Sequence, residues 1–161
     1  MNSKNLCTAI ETSSRTSGVA IFNGERFTEL NRDAQLTHSE TLQPQLEEVL
    51  RLSKTPRGAI DLIAVSIGPG SFTGLRIGLA AAKALAYAWN VPIIGVPTLT
   101  ALAYHFPFDR VLTMTDAQKN RAYCQLFEKK MFSEKRIKLH FLFEYMFFLM
   151  VCLQEHFVEL S

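Results

Sequence analysis

The sequence predicts an α/β domain with a mixed sheet, and three observations support that fold class. Short apolar runs rich in β-branched residues alternate with segments of helical periodicity, in the order β-β-β-α-β-α-β-α. The dipeptide Asn23-Gly24 separates two of these runs, and it favours a β-hairpin because both residues tolerate positive φ. Residues 62–67 form a nearly continuous apolar run, which is typical of a buried parallel strand.

The individual elements follow from local signals along the chain. Residues 37–40 (Thr-His-Ser-Glu) have the capping-box pattern that opens a helix, and the apolar residues after them recur at helical spacing. An alanine-rich helix is predicted over 75–89, and Thr98 is predicted to cap a third helix over 99–105. The predicted strands are 6–10, 18–22, 26–30, 62–67, 92–96, 110–115 and 121–127.

Composition and charge exclude several classes of protein. The 161 residues are 48% hydrophobic and 20% charged, which is unlike a disordered chain. A net charge of +2, from 17 basic and 15 acidic residues, predicts no general attraction to nucleic acid or membranes. The N-terminal residues are too polar for a signal peptide, and no stretch reaches the ~18 apolar residues of a spanning helix. Cys7, Cys124 and Cys152 form no CxxC pair, so we expect a reducing cytoplasm and neither disulfides nor structural zinc.

The composition of the chain changes towards its C-terminus. All eight glycines lie at or before Gly95 and all six prolines at or before Pro107, whereas six of the twelve phenylalanines fall after residue 130. Because turns depend on Gly and Pro, residues 131–161 are a different kind of sequence from the first 128. Two interpretations are open: a C-terminal amphipathic helix, or a segment that has replaced the original continuation of the fold.

A glycine-rich turn over 68–78, between a predicted strand and a predicted helix, is the most informative segment. A helix N-terminus offers unpaired N–H groups and the positive end of a dipole, which can hold phosphate or carboxylate. The glycine spacing matches neither the Walker A loop nor the dinucleotide fingerprint, so a turn that packs helix against sheet is the alternative. The hydroxyl-rich turn over 11–18 has the same two interpretations. The candidate anion- or nucleotide-binding residues are Thr12, Ser13, Gly68, Gly70, Ser71, Thr73 and Gly74.

Two predicted helices have faces suited to close packing. The helix over 75–89 has small residues on both faces, and the helix that begins near His38 has an apolar stripe. Both stripes fit burial within one domain, or half of a four-helix interface with a partner. None of the four histidines belongs to a known metal-ligand pattern, and Ser71 lacks the Gly-x-Ser-x-Gly flanks of a hydrolase nucleophile. We therefore expect no metal site and no hydrolase.

Five stretches of the sequence resemble the TsaB (YeaZ) family. They are Ala-Ile-Glu-Thr-Ser at 9–13, Ser-Gly-Val-Ala at 17–20, His-Ser-Glu at 38–40, Gly-Pro-Gly-Ser-Phe-Thr-Gly-Leu-Arg-Ile-Gly at 68–78, and Thr-Asp-Ala-Gln to Tyr over 115–123. The resemblance covers about residues 4–128, and the glycine-rich string is highly specific to the family.

The resemblance implies an actin-like ATPase (ribonuclease H-like) fold with an incomplete second lobe. The first lobe, with a mixed sheet and flanking helices, is expected over 1–107, and the second lobe begins over 108–128. An atypical Phe-rich tail over 129–161 stands where family members continue with the rest of the second lobe. A frameshift, a truncated reading frame or a gene-prediction fault would each account for that tail.

The resemblance also implies a role in making N6-threonylcarbamoyladenosine at position 37 of tRNAs that read codons beginning with A. In that pathway TsaB is the non-catalytic partner of TsaD, the paralogous transferase, and the two form a heterodimer through their N-terminal lobes. TsaE joins them, and a TsaC-type enzyme supplies threonylcarbamoyl-AMP. Transferred to this chain, the implied partner-interface residues are Leu42, Leu46, Val49, Leu50, Leu75, Gly78, Leu79 and Ala82.

Departures from the catalytic paralogue agree with a non-catalytic role. The paralogue continues Ile-Glu-Thr-Ser with Cys-Asp-Glu, whereas this chain has Ser14, Arg15 and Thr16, and of the paralogue's His-x-x-x-His pair only His38 is present. The competing hypothesis is a kinase-like ATPase that uses the turns over 11–17 and 68–74 on phosphate. Weak binding of ATP or ADP and homodimerisation of the chain alone are both left open by the sequence.

Overall fold

Five strands form one mixed sheet in the computed structural model, which describes residues 6–23, 26–33, 38–104, 106 and 108–128. The strands are β1 (Cys7–Glu11), β2 (Thr16–Phe22), β3 (Phe27–Asp33), β4 (Leu62–Ser66) and β5 (Ile93–Val96). Their order across the sheet is β3-β2-β1-β4-β5. The first three strands are antiparallel neighbours, whereas β4 and β5 continue the sheet parallel to β1.

Three α-helices and a second, two-stranded sheet account for most of the other described residues. The helices are α1 (His38–Ser53), α2 (Phe72–Trp89) and α3 (Thr98–Tyr104). Strand β6 (Arg110–Asp116) pairs antiparallel with β7 (Ala122–Glu128). In this part of the chain, no helix combines the length and the hydropathy needed to cross a bilayer.

The five-stranded sheet has a hydrophobic core on each face, because side chains alternate along a strand. Ile10 and Val65 are buried on the face that α1 and α2 cover. Ala9 and Ala64 are buried on the opposite face, where α3 packs and where β7 contributes Phe127. Both helices of the predicted docking surface therefore lie on the same side of the sheet.

The predicted mixed sheet and the order of its elements are confirmed. Helix α2 begins three residues earlier than predicted, at Phe72, because the Ser71 hydroxyl accepts a hydrogen bond from the Gly74 N–H at 3.2 Å and caps the helix. Strand β3 runs to Asp33, three residues beyond the predicted end. A short 3-10 helix over Arg57–Ala59 was not predicted. The Phe-rich tail lies outside the described residues, and the proposed lobe boundaries stay predictions.

Candidate functional site

The carboxyl ends of two adjacent parallel strands bring the two predicted turns together. Strand β1 pairs with β4 so that Ile10 lies beside Val65, and the chain leaves both strands at the same edge of the sheet. The N–H of Ser71 donates to the carbonyl oxygen of Ser13 at 2.6 Å. This bond joins the glycine-rich turn to the hydroxyl-rich turn, so the candidate anion-binding residues of both turns form one site.

Two glycines allow the turns to touch. A Cβ on Gly70 would lie 2.4 Å from the Ser13 carbonyl oxygen, and a Cβ on Gly78 would lie 2.2 Å from the Thr12 hydroxyl oxygen. Both distances are shorter than Cβ atoms tolerate, so a larger residue at either position would push the segments apart. Thr12 is fully buried and Ser13 is 7% exposed. These contacts match the interpretation of a turn that packs helix against sheet.

Two hydrogen-bond donors of the glycine-rich turn are in use within the protein. The Ser71 N–H is bonded to Ser13, and the Gly74 N–H is bonded to the Ser71 hydroxyl. The N–H of Thr98 donates to the carbonyl oxygen of Gly68 at 2.8 Å, which fixes the start of the turn against α3. Among the predicted anion-binding residues, Thr73 is exposed, Gly70 and Ser71 are half-buried, and the others are buried. The arrangement leaves little of the predicted set facing solvent.

A buried carboxyl group stands at the end of β1, directly before the hydroxyl-rich turn. Glu11 is 0% exposed, and its Oε1 accepts a hydrogen bond from the Ser13 N–H at 2.5 Å. Burial raises the pKa of Glu11, and the hydrogen bond from Ser13 opposes that shift. Glu11 Oε2, Ser66 Oγ and Thr98 Oγ1 are buried without a hydrogen-bond partner in the described part of the chain. From the sequence, Glu11 was identified only as part of a motif. The signal that could have identified its burial is an acid at the end of an apolar strand.

The predicted docking residues lie mostly within the core of their own domain. Leu42, Leu46, Val49, Leu50 and Ala82 are 0–7% exposed and belong to the core between the helices and the sheet. The remaining members of the predicted set are also withdrawn from solvent: Gly78 is buried, and Leu75 and Leu79 are half-buried. The apolar stripe of each helix therefore stabilises its own domain, so these residues are not an open contact surface. Hydrophobic periodicity therefore identifies the face of each helix that packs against the sheet.

The outer face of α2 is an exposed stripe that ends in an aromatic residue at each end. Phe72 is 74% exposed and Tyr87 is 91% exposed, and the guanidinium of Arg76 lies 5.3 Å from the centre of the Phe72 ring. The middle of the stripe is exposed Ala80 and Ala84. We call this set the α2 stripe; its members are Phe72, Thr73, Arg76, Ala80, Lys83, Ala84, Tyr87 and Ala88.

The outer face of α1 is polar. Gln43 donates to Glu47 at 2.9 Å, and Arg51 forms an ion pair with Glu48 at 2.6 Å. Leu52, 47% exposed, is the large apolar residue near the end of this face. Helices α1 and α2 thus differ in chemistry on their outer faces, although both cover the same side of the sheet.

Comparisons with known proteins agree with this geometry. A family model described as TsaD, tRNA N6-adenosine threonylcarbamoyltransferase, matches residues 31–135. A tRNA threonylcarbamoyladenosine biosynthesis protein TsaB of Haemophilus influenzae is 35% identical over 120 residues, and one of Escherichia coli is 33% identical over 119. The solved structure of YeaZ from Pseudomonas aeruginosa matches with a TM-score of 0.71 and 27% identity. The chain belongs to the TsaB (YeaZ) family.

Membership of the TsaB family assigns the fold as actin-like and ribonuclease H-like, as the resemblance implied. The Haemophilus and Escherichia alignments each cover 71% of this chain. The chain spans about half the length of these TsaB relatives, at 50% and 52%, and 59% of the Pseudomonas chain. The family relationship connects the chain to tRNA threonylcarbamoyladenosine biosynthesis, the pathway that its relatives' names specify.

Proposed function

We propose that this chain is the non-catalytic subunit of a complex that makes N6-threonylcarbamoyladenosine at position 37 of tRNAs, and that it binds TsaD through the outer faces of α1 and α2. The observation that carries the proposal is the α2 stripe, an exposed helical face with aromatic ends and with the small residues Ala80 and Ala84 beside Lys83 at its centre. It lies on a domain of the TsaB family, whose named relatives act in this pathway.

The chemistry of the α2 stripe suits a helix-to-helix contact. Ala80 and Ala84 lack bulk, so the backbone of a partner helix can approach closely at the centre of the stripe. Phe72 and Tyr87 flank that centre and can bury large apolar areas against the partner, in the manner of anchor residues. The adjacent polar face of α1 would form the rim of the contact.

The site at the ends of β1 and β4 supports a role without catalysis. Arg15, at a position where the catalytic paralogue has an acid, is exposed and carries a positive charge that repels a metal ion. The N–H groups of Ser71 and Gly74 are occupied by Ser13 and Ser71 oxygens, so binding phosphate through them requires breaking existing bonds. The kinase-like alternative therefore has less support than the scaffold, and ATP or ADP binding is expected to be weak and without turnover.

The other members of the system follow from this role. TsaD supplies the transferase site, TsaE joins the pair, and a TsaC-type enzyme supplies threonylcarbamoyl-AMP. The tRNA is contacted through the assembled complex in the cytoplasm. In the absence of TsaD, the same α2 stripe can pair with a second copy of this chain, because an isologous helix contact needs only one self-complementary face.

Co-purification with the cognate TsaD tests the proposal. Ala84→Glu places a long charged side chain at the centre of the α2 stripe and is expected to abolish co-purification. Gly58→Glu is the matched control, because Gly58 is exposed and a Cβ there meets nothing within 4 Å. Both variants should keep the circular dichroism of the wild-type chain. Retention of TsaD by a folded Ala84→Glu variant would refute this docking surface.

A reconstituted modification assay separates docking from catalysis. With TsaD, TsaE and the TsaC-type enzyme present, the wild-type chain should support threonylcarbamoyl transfer to tRNA, and Ala84→Glu should not. Arg15→Ala should leave transfer unchanged, because the proposal gives Arg15 no catalytic part. Loss of transfer in the Arg15 variant with TsaD still bound would instead favour an active nucleotide site in this chain.

A further inference from the structure

The hairpin of β6 and β7 has one face that is partly packed in the core and one face that is open to solvent. Phe127 and Thr113 are 3% and 5% exposed and face α3. On the other side every residue of both strands is exposed, because side chains alternate along each strand. We call this side the outer face; its residues are Arg110, Leu112, Met114, Asp116, Ala122, Cys124, Leu126 and Glu128.

The outer face is apolar at its centre, which is unusual for a sheet face that contacts water. Leu112 lies opposite Leu126, and both are 56% exposed. Met114, 48% exposed, lies opposite Cys124. These four side chains form one contiguous apolar patch in two adjacent cross-strand pairs.

Charged groups mark the ends of the patch. At one end Arg110 and Glu128 form an ion pair of 3.1 Å, and at the other end stands Asp116. An apolar centre with a charged border is the arrangement of a surface that is covered by another segment.

An apolar segment that could cover this patch follows β7 in the sequence, after a short connection. Strand β7 ends at Glu128, and 33 residues follow it in the chain. Nine of the ten residues over 141–150 are apolar, with Glu144 as the exception. Residues 129–140 connect this stretch to β7. They include five lysines and arginines, whose charges favour contact with water.

The connection is long enough for the apolar stretch to reach the whole outer face. Twelve extended residues span up to roughly 40 Å, whereas a seven-residue strand is only about 23 Å long. The covalent tether also holds the stretch at an effective concentration of roughly millimolar near the patch. At low protein concentration that advantage favours the chain's own segment over a second copy or a separate partner.

We propose that residues 141–150 dock on the outer face of the β6–β7 hairpin and cover Leu112, Met114, Cys124 and Leu126. This inference concerns how the second sheet is covered and does not depend on the proposed role in tRNA modification.

The reactivity of the Cys124 thiol can report this contact, because Cys124 lies at the centre of the outer face. If residues 141–150 cover it, iodoacetamide should modify Cys124 at least about tenfold more slowly in the native chain than in urea, since modification requires access to the thiol. Mass spectrometry of peptides distinguishes it from Cys152 and from Cys7, which is buried and reports that the core is folded. Modification of native Cys124 at the rate seen in urea would overturn the proposal.

Two variants and a dilution series identify what covers the patch. Phe147→Glu with Phe148→Glu should expose Cys124 and raise its modification rate about tenfold, while Cys7 stays unmodified. The matched control, Met131→Glu with Phe132→Glu, changes equivalent chemistry outside the docking segment and should leave the rate unchanged. The protection must also be independent of protein concentration. Protection that disappears on dilution would assign the cover to a second copy and overturn the proposal.

Discussion

The backbone N–H of Ser71 donates to the carbonyl oxygen of Ser13 across 2.6 Å, and this bond joins two turns that are 58 positions apart in the chain. Each turn follows a parallel strand, so the bond closes the edge of the sheet where β1 and β4 end. Its geometry depends on Gly70, because the neighbouring backbone approaches to within the volume of a methyl group. The glycine-rich string therefore has a structural explanation in this chain that requires no bound phosphate.

Gly70→Ala is expected to destabilise the domain. The new Cβ would lie 2.4 Å from the Ser13 carbonyl oxygen, and backbone atoms cannot move aside as a flexible side chain can. We expect a loss of roughly 1–3 kcal/mol in the free energy of unfolding, the usual cost of overpacking. Urea denaturation followed by circular dichroism measures it. Gly58→Ala is the control, because nothing lies within 4 Å of its Cβ; equal effects of the two substitutions would contradict this account.

Gly78 and Thr12 should be energetically coupled. A Cβ on Gly78 would lie 2.2 Å from the Thr12 hydroxyl oxygen, so Gly78→Ala should destabilise the domain by about 1–3 kcal/mol. Thr12→Ala removes the atom that clashes, so the double variant should lose less stability than the sum of the single variants. A coupling of about 0.5 kcal/mol or more in a double-mutant cycle is the expected result. Strict additivity would show that the strain lies elsewhere.

Local signals predicted most of the fold, and long-range contacts account for what was missed. The Asn23-Gly24 signal and the apolar run of β4 depend on neighbours in sequence, so the hairpin and the parallel strand could be predicted. That the apolar stripes of α1 and α2 lie in the core could not be predicted, because such a stripe has the same sequence pattern in a core and in an interface. The burial of Glu11 and Gln45 was not predicted, because a hydrophobic pattern assigns polar residues to the surface. Only the structure shows the partners of these two side chains.

Gln45 is expected to be essential for the attachment of α1 to the sheet. It is 0% exposed, accepts a hydrogen bond from the Ser17 hydroxyl at 2.7 Å, and donates to the carbonyl oxygens of Ser17 and Leu30 at 3.0 and 3.3 Å. Gln45→Leu keeps a similar volume but leaves these groups unsatisfied, which should cost about 2–3 kcal/mol of unfolding free energy.

Thermal and urea denaturation measure the Gln45 effect, with Gln43→Leu as the matched control. Gln43 lies on the exposed face of the same helix and bonds only Glu47 among the contacts the structure records for its side chain. Its replacement should change the free energy of unfolding by no more than about 0.5 kcal/mol. A stable Gln45→Leu variant would mean that α1 is held by its leucines alone.

The buried carboxyl group of Glu11 should make stability fall as the pH rises above the acid range. Burial raises its folded-state pKa above the ordinary value of 4.5, so the folded chain keeps the proton after the unfolded chain has lost it. The stabilising contribution is complete below pH 4.5 and is lost as the pH rises through the folded-state pKa. Glu11→Gln cannot ionise and can keep the acceptor for the Ser13 N–H. The free energy of unfolding of this variant, minus that of the wild-type chain, should therefore grow with pH across this window.

Glu48→Gln is the opposite control for Glu11, because the hydrogen bond from Arg51 lowers the pKa of the half-exposed Glu48. Glu48 stabilises the fold above its unfolded pKa and loses that contribution as the pH falls, so its removal should give a difference of opposite slope. Urea titrations from acid to neutral pH compare both variants with the wild-type chain. Parallel wild-type and Glu11→Gln curves would mean that Glu11 has the same pKa in the folded and unfolded chain, which the full burial of its carboxyl group argues against.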